Sequence, residues 1–87
     1  MKTTKPKPVH VIAKYSTGRW HPLGIFKLQH LPRHGEFIEI ETKGSAEMFV
    51  VVAVFHPTYP TRCSAEVFAV HAGTSPQVYL KLMRENK

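Results

Sequence analysis

Aspartate is absent from the chain, cysteine occurs once, and no acidic residue of any kind precedes Glu36. Each absence excludes something. Without aspartate, acid chemistry falls to six glutamates, and Glu39 and Glu41 share a strand face with Phe37 as ordinary solvated positions. Cys63 alone makes no internal disulfide and has no CxxC partner, which fits a reducing compartment and a small half-buried residue at a strand start. The longest apolar run, Met48 to Phe55, has eight residues, where a bilayer-spanning helix needs about 20. Nothing reads as a secretory segment either, so the expectation is a soluble, cytoplasmic protein with no membrane partner. Also missing are a GxSxG elbow, a glycine-rich phosphate loop, an HExxH pair, and any RNP1, KH or zinc-finger signature.

What is present fits one small domain. The 87 residues are 43% hydrophobic, too apolar for a disordered chain, and a chain this short buries only about 60–65% of its unfolded surface. Residues 1–8, MKTTKPKP, have no large apolar residue after Met1 and read as a mobile basic tail, leaving residues 9–87 as the folded unit. Charge is uneven. Residues 1–35 carry seven lysines and arginines and no acid, whereas residues 36–87 carry five against all six glutamates, so +7 and −1 make up the net +6. Such asymmetry predicts a positive face, which attracts phosphate or an acidic protein surface; a net charge kept for solubility alone is the other explanation.

Alternation marks the strands. Val9 to Tyr15 sets Val9, Val11, Ala13 and Tyr15 against His10, Ile12 and Lys14 with the period of two of a half-buried strand. In STGR that follows, Gly18 stands where a hairpin loop takes a left-handed residue. Leu23 to Leu31 is a second strand with Phe26 and Leu28 inward, its start kept at an edge or bulge by Pro22. LPRHGE, residues 31–36, reads as a tight reversal, with Pro32 as second residue of a type I turn and Gly35 free to take positive φ. Glu36 to Thr42 alternates again, Lys43 to Ser45 turns, and Met48 to Phe55 is apolar at every position, as in a central strand covered on both faces. The loop HPTYPTR leads to a fifth strand, Ala65 to His71. Ser75 as N-cap and Pro76 in the first turn favour a C-terminal helix with Val78, Tyr79, Leu82 and Met83 on one face, although Val78, Leu80 and Leu82 also alternate as in a sixth strand. A helix would supply cover for Met48 to Phe55. The fold expected is mainly β (all-β or α+β): five antiparallel strands curled into a small barrel or strongly bent sheet, with one short C-terminal helix.

The run LPRHGEFIEI, a glycine turn, MFVVVAVFH and then EVFAV resembles an arrangement in short phage and mobile-element proteins, and is similar to small SH3-like barrels in general. The resemblance spans residues 30–71. It implies a small barrel from a phage or mobile-element setting, and it brings no activity, catalytic residue or cofactor with it.

Side-chain chemistry points to binding. Six histidines stand at positions 10, 21, 30, 34, 56 and 71, but Pro32 and Gly35 put His30 and His34 on a turn instead of a helix face, so a site from His30, His34, His56 and Cys63 needs two loops to converge; no metal is expected. A metal-independent ribonuclease needs a base, an acid and a cation, which His56, Tyr59, Arg62 and His71 contain; this is the alternative function, that of a small toxin. The main expectation is a non-enzymatic module without cofactor. Lys14, Arg19, Lys27 and Arg33 are interleaved with Tyr15, Trp20 and His21, the mixture of cations and aromatics that small barrels use on single strands, while Trp20 has the equal alternative of sealing a barrel end. Lys14, Arg19, Trp20, Lys27 and Arg33 are therefore the candidate site for nucleic acid or an acidic host-protein surface, with Tyr59 and Arg62 as a candidate protein-contact loop. Monomer and homodimer both remain open.

Overall fold

The computed structural model describes residues 6–16 and 18–85. Five strands, β1 (Lys7–Lys14), β2 (His21–Leu28), β3 (Phe37–Thr42), β4 (Ser45–Phe55) and β5 (Ala65–Thr74), precede one helix, α1 (Ser75–Glu85). They form a single curled half-barrel sheet in the order β2-β1-β5-β4-β3. The expected mainly-β fold with a C-terminal helix is what the chain adopts, with one difference in pairing. β5 returns beside β1 and runs parallel to it, so the sheet is mixed. Strand β1 also starts two residues earlier than the tail reading placed it. Pro8 is tolerated because the pairing with β5 begins only at Val9, and the Pro8 carbonyl accepts a hydrogen bond from the Ser64 N–H (2.8 Å). Of the rest of the expected tail, Pro6 is exposed and outside any strand, and residues 1–5 lie outside the described residues.

Two turns depart from their sequence reading. Gly18 closes its turn by donating its N–H to the Tyr15 carbonyl (3.0 Å) without adopting a positive φ. The LPRHGE reversal is shifted by two residues. Its hydrogen bond runs from the Glu36 N–H to the Arg33 carbonyl (3.0 Å), so Pro32 precedes the turn and Gly35, at φ 90°, supplies the left-handed third residue. The Glu36 carboxylate closes the ring by accepting the Arg33 N–H (2.7 Å). The segment also does more than reverse the chain. Because β2 and β3 are opposite edges of the sheet, residues 29–36 must cross between them, and they do so with Leu31 against the core and Pro32 buried.

The helix begins one residue earlier than expected. Thr74 is the N-cap, its Oγ1 accepting the Gln77 N–H (3.4 Å) while Gln77 Oε1 accepts the Thr74 N–H (3.0 Å), a reciprocal capping box. Ser75 is thereby freed to donate its hydroxyl to the Glu39 carboxylate on β3. Ser75 and Val78 are buried on the helix; Tyr79 and Met83, placed on the packing face by periodicity, are exposed. Among the described residues, no helix is long and apolar enough to cross a membrane.

The inner face of the sheet is the core: Val9, Val11 and Ala13 from β1, Val67 and Ala69 from β5, Phe49 and Val51 from β4, and Ile40 from β3. Phe26 and Leu28 from β2 and Ile38 from β3 close in from the two edges.

Candidate functional site

Strand alternation dictates what lies on the other side. Opposite partners across the ladder share a face, so the Ile25–His10–Glu66–Phe55 and Pro22–Ile12–Phe68–Ala53 rows, and the Lys14–Val70–Val50–Phe37 row, run across the outer face. Sequence reading assigned a cover to both faces of Met48 to Phe55, with α1 over the second. The helix reaches only the far end, where Val78 stands 3.8 Å from the Cβ position of Gly73, the partner of Met48. Two register shifts in β4, one releasing Val52, explain how a run apolar at every position gives one buried and one exposed side. Phe55 is 56% exposed, Phe37 41% and Trp20 42%.

The exposed aromatics are organised. Trp20, arriving from the β1–β2 connection, meets Phe68 edge-on with ring centroids 5.3 Å apart, and Phe68 meets Phe55 in the same way at 5.2 Å. Lys14 Nζ lies 5.9 Å from the Trp20 ring centroid, within cation–π range. Trp20 therefore lies along the outer face and does not seal the end of the half-barrel. That position is filled by Tyr15, which stacks on His21 (5.5 Å) and packs against Phe49 (5.8 Å) and His71 (4.6 Å).

The five expected binding residues do not form one cluster. Lys14 and Trp20 come together, and Arg19 precedes Trp20 in the same exposed connection. Lys27 shares their face but pairs with Pro8, six strand residues or roughly 20 Å from Lys14. Arg33 belongs to the turn beside β3, at the opposite edge of the sheet from Lys27. Glu39 and Glu41 also lie on that side, so the cationic part of the outer face is the β2–β1–β5 half.

At the end of the face away from α1, the β4–β5 connection walls a cavity of about 410 Å³ against the sheet. Tyr59 and Arg62, expected in a contact loop, line it with His56, and Phe55 joins it to the aromatic row. Two further residues were missed by sequence reasoning: His10, whose Nδ1 donates to Glu66 Oε2 (3.3 Å), and Glu66 itself. They are 56 positions apart, and only the parallel β1–β5 pairing brings them level.

The ribonuclease set is divided. His71 sits on the inner face six residues into β5, where Nε2 is 2.5 Å from Glu47 Oε1, while His56, Tyr59 and Arg62 line the cavity. The His71 hydrogen bond, with a second from the Ser45 hydroxyl, holds the Glu47 carboxyl below its ordinary range. The pair joins β4 to β5 and serves the fold. His30, His34, His56 and Cys63 likewise fail to converge: among the described residues no three histidine, cysteine or glutamate side chains are grouped to hold a metal ion.

No family model, curated protein or solved structure matches the chain.

Proposed function

We propose that the protein is a binding module that holds single-stranded nucleic acid on the outer face of its sheet, without catalysing a reaction on it. The observation that carries this reading is the Trp20–Phe68–Phe55 row, with Trp20 and Phe55 exposed and Phe68 half-buried between them, beside the lysines of β1 and β2. A solvent-exposed aromatic costs a small domain apolar surface that it has little of to spare. Bases repay that cost by stacking, at about 1–3 kcal/mol each, and cations beside them take the phosphates in a salt-dependent way. Single strands suit the face because their bases are free to lie on a ring; a duplex presents backbone only. The net charge of +6 acts in the same direction.

The test is fluorescence anisotropy with short labelled single- and double-stranded RNA and DNA, at low and high salt, with the RNA checked afterwards for cleavage. Saturable binding of single strands that weakens steeply with salt, and leaves RNA intact, is the expected result. Flat titrations would transfer the face to the acidic protein surface that the same cations fit; cut RNA would restore the ribonuclease alternative.

A further inference from the structure

The cavity beneath the β4–β5 connection is not explained by a platform for stacked bases, and it has the attributes of a built site. Its volume of about 410 Å³ falls within the range of small-ligand pockets, roughly 300–1,000 Å³. Its wall is held in place. Thr61 and Cys63 bond to each other, the Ser64 N–H is tied to the Pro8 carbonyl (2.8 Å), and Pro57 and Pro60 limit the backbone, so little ordering is left for a ligand to bring about. Its lining divides into complementary parts. Phe55 and Tyr59, the latter 69% exposed, offer ring faces, and Arg62 offers a permanent cation with a planar fork of donors. On the floor, His10 Nδ1–H donates a hydrogen bond to Glu66 Oε2 (3.3 Å), and in that neutral tautomer Nε2 is an acceptor for a ligand N–H or hydroxyl.

An aromatic ring, a phosphate-binding fork and a fixed hydrogen-bonding imidazole around a space of this size match one nucleotide. We infer that the cavity is a subsite for a single nucleoside monophosphate unit of the bound strand, with its base against Tyr59 and Phe55 and its phosphate on Arg62. Phe55 belongs to both the cavity and the aromatic row, so a strand lying over Trp20 and Phe68 delivers its next nucleotide there. This subsite rests on the nucleic-acid reading of the outer face and adds a position at which one base is read instead of merely stacked.

The full chain, labelled with 15N, is titrated by NMR with each of the four nucleoside 5′-monophosphates, with inorganic phosphate, and with a single-stranded RNA of about eight nucleotides. The subsite predicts saturable shifts at His10, Tyr59, Arg62 and Glu66 with a monophosphate, and the addition of Lys14, Trp20 and Phe68 with the RNA. Arg62→Ala, a change on an exposed loop, is expected to weaken the monophosphate at least about 10-fold, whereas Tyr79→Ala, an exposed position on α1 at the other end of the sheet, leaves it unchanged. If the RNA moves Trp20 and Phe68 while neither ligand moves the cavity residues, the subsite is wrong and the face reading survives. Shifts reproduced in full by inorganic phosphate make the cavity an anion site and also overturn the nucleotide assignment. A cavity response to the RNA with Trp20 and Phe68 still supports the subsite and overturns the face; silence throughout overturns both.

Discussion

The two faces of this sheet are made from the same strands and are built on different rules. On the inner face Val9, Val11, Val51, Val67 and Phe49 are fully buried and meet across the ladders. On the outer face Ile25, Phe37 and Phe55 occupy equivalent ladder positions and remain exposed, with Lys14, Lys27 and His10 among them. Burial alone distinguishes the residues that specify the fold from those free to meet a partner. The α1 helix sharpens the contrast, because it covers Met48 and stops short of the remainder of the face.

Truncating one aromatic from each side breaks this comparison most directly. Phe49→Ala removes the largest fully buried side chain and is expected to cost about 3–5 kcal/mol in a denaturant titration. Phe55→Ala, on the other side of the same strand, should leave the denaturation midpoint nearly unchanged while weakening single-stranded RNA. Equal destabilisation by the two would mean that the outer face is a second core.

Trp20→Ala comes next. Loss of one stacking ring is expected to cost about 1–3 kcal/mol of binding, seen in anisotropy titrations as a fall of roughly 5- to 150-fold with the thermal midpoint preserved. A loss of stability without loss of affinity would return Trp20 to a structural role.

Charge divides the outer face further. Lys14→Glu and Lys27→Glu should each weaken binding similarly for all sequences and reduce the slope of log affinity against log salt by about 1. Arg33→Glu, placed at the other edge of the sheet, is expected to change that slope least. If Arg33 proves as sensitive as Lys14, the strand crosses the sheet toward β3 instead of keeping to the β2–β1–β5 half.

The smallest effect belongs to the inner side. Because His71 and Ser45 hold the Glu47 carboxyl below its ordinary value of 4.5, the unfolded chain takes up a proton there more readily than the folded one. Its stabilisation is therefore complete above the ordinary carboxylate range and fades as pH falls through the lower folded value. Glu47→Gln should flatten the acid limb of a stability-against-pH curve measured by circular dichroism, and leave nucleic-acid binding at neutral pH as it was.

Much of the fold was legible because period-two alternation and turn chemistry are local. Val9, Val11, Ala13, Ile38 and Ile40 face the core as their spacing requires, and Pro22 sits on an edge strand beside a register shift. What escaped was non-local. The parallel return of β5 beside β1 leaves no mark in either strand, and with it went the His10–Glu66 pair. Uniformly apolar Met48 to Phe55 concealed a bulge that turns Val52 and Phe55 outward, so composition was read as two-sided burial. The five cationic and aromatic candidates were chosen by closeness in sequence; the sheet unites Lys14 with Trp20 and places Arg33 at a far edge.

Trp20 is the sole tryptophan, so its fluorescence reports from the outer face alone. The most direct test is to titrate the protein with single-stranded RNA and follow that emission at low and high salt. A saturable change in Trp20 emission whose midpoint moves to higher RNA concentration with salt is the predicted result. Emission that stays constant while RNA binds by anisotropy would contradict the account, because the strand would then lie somewhere other than on this face.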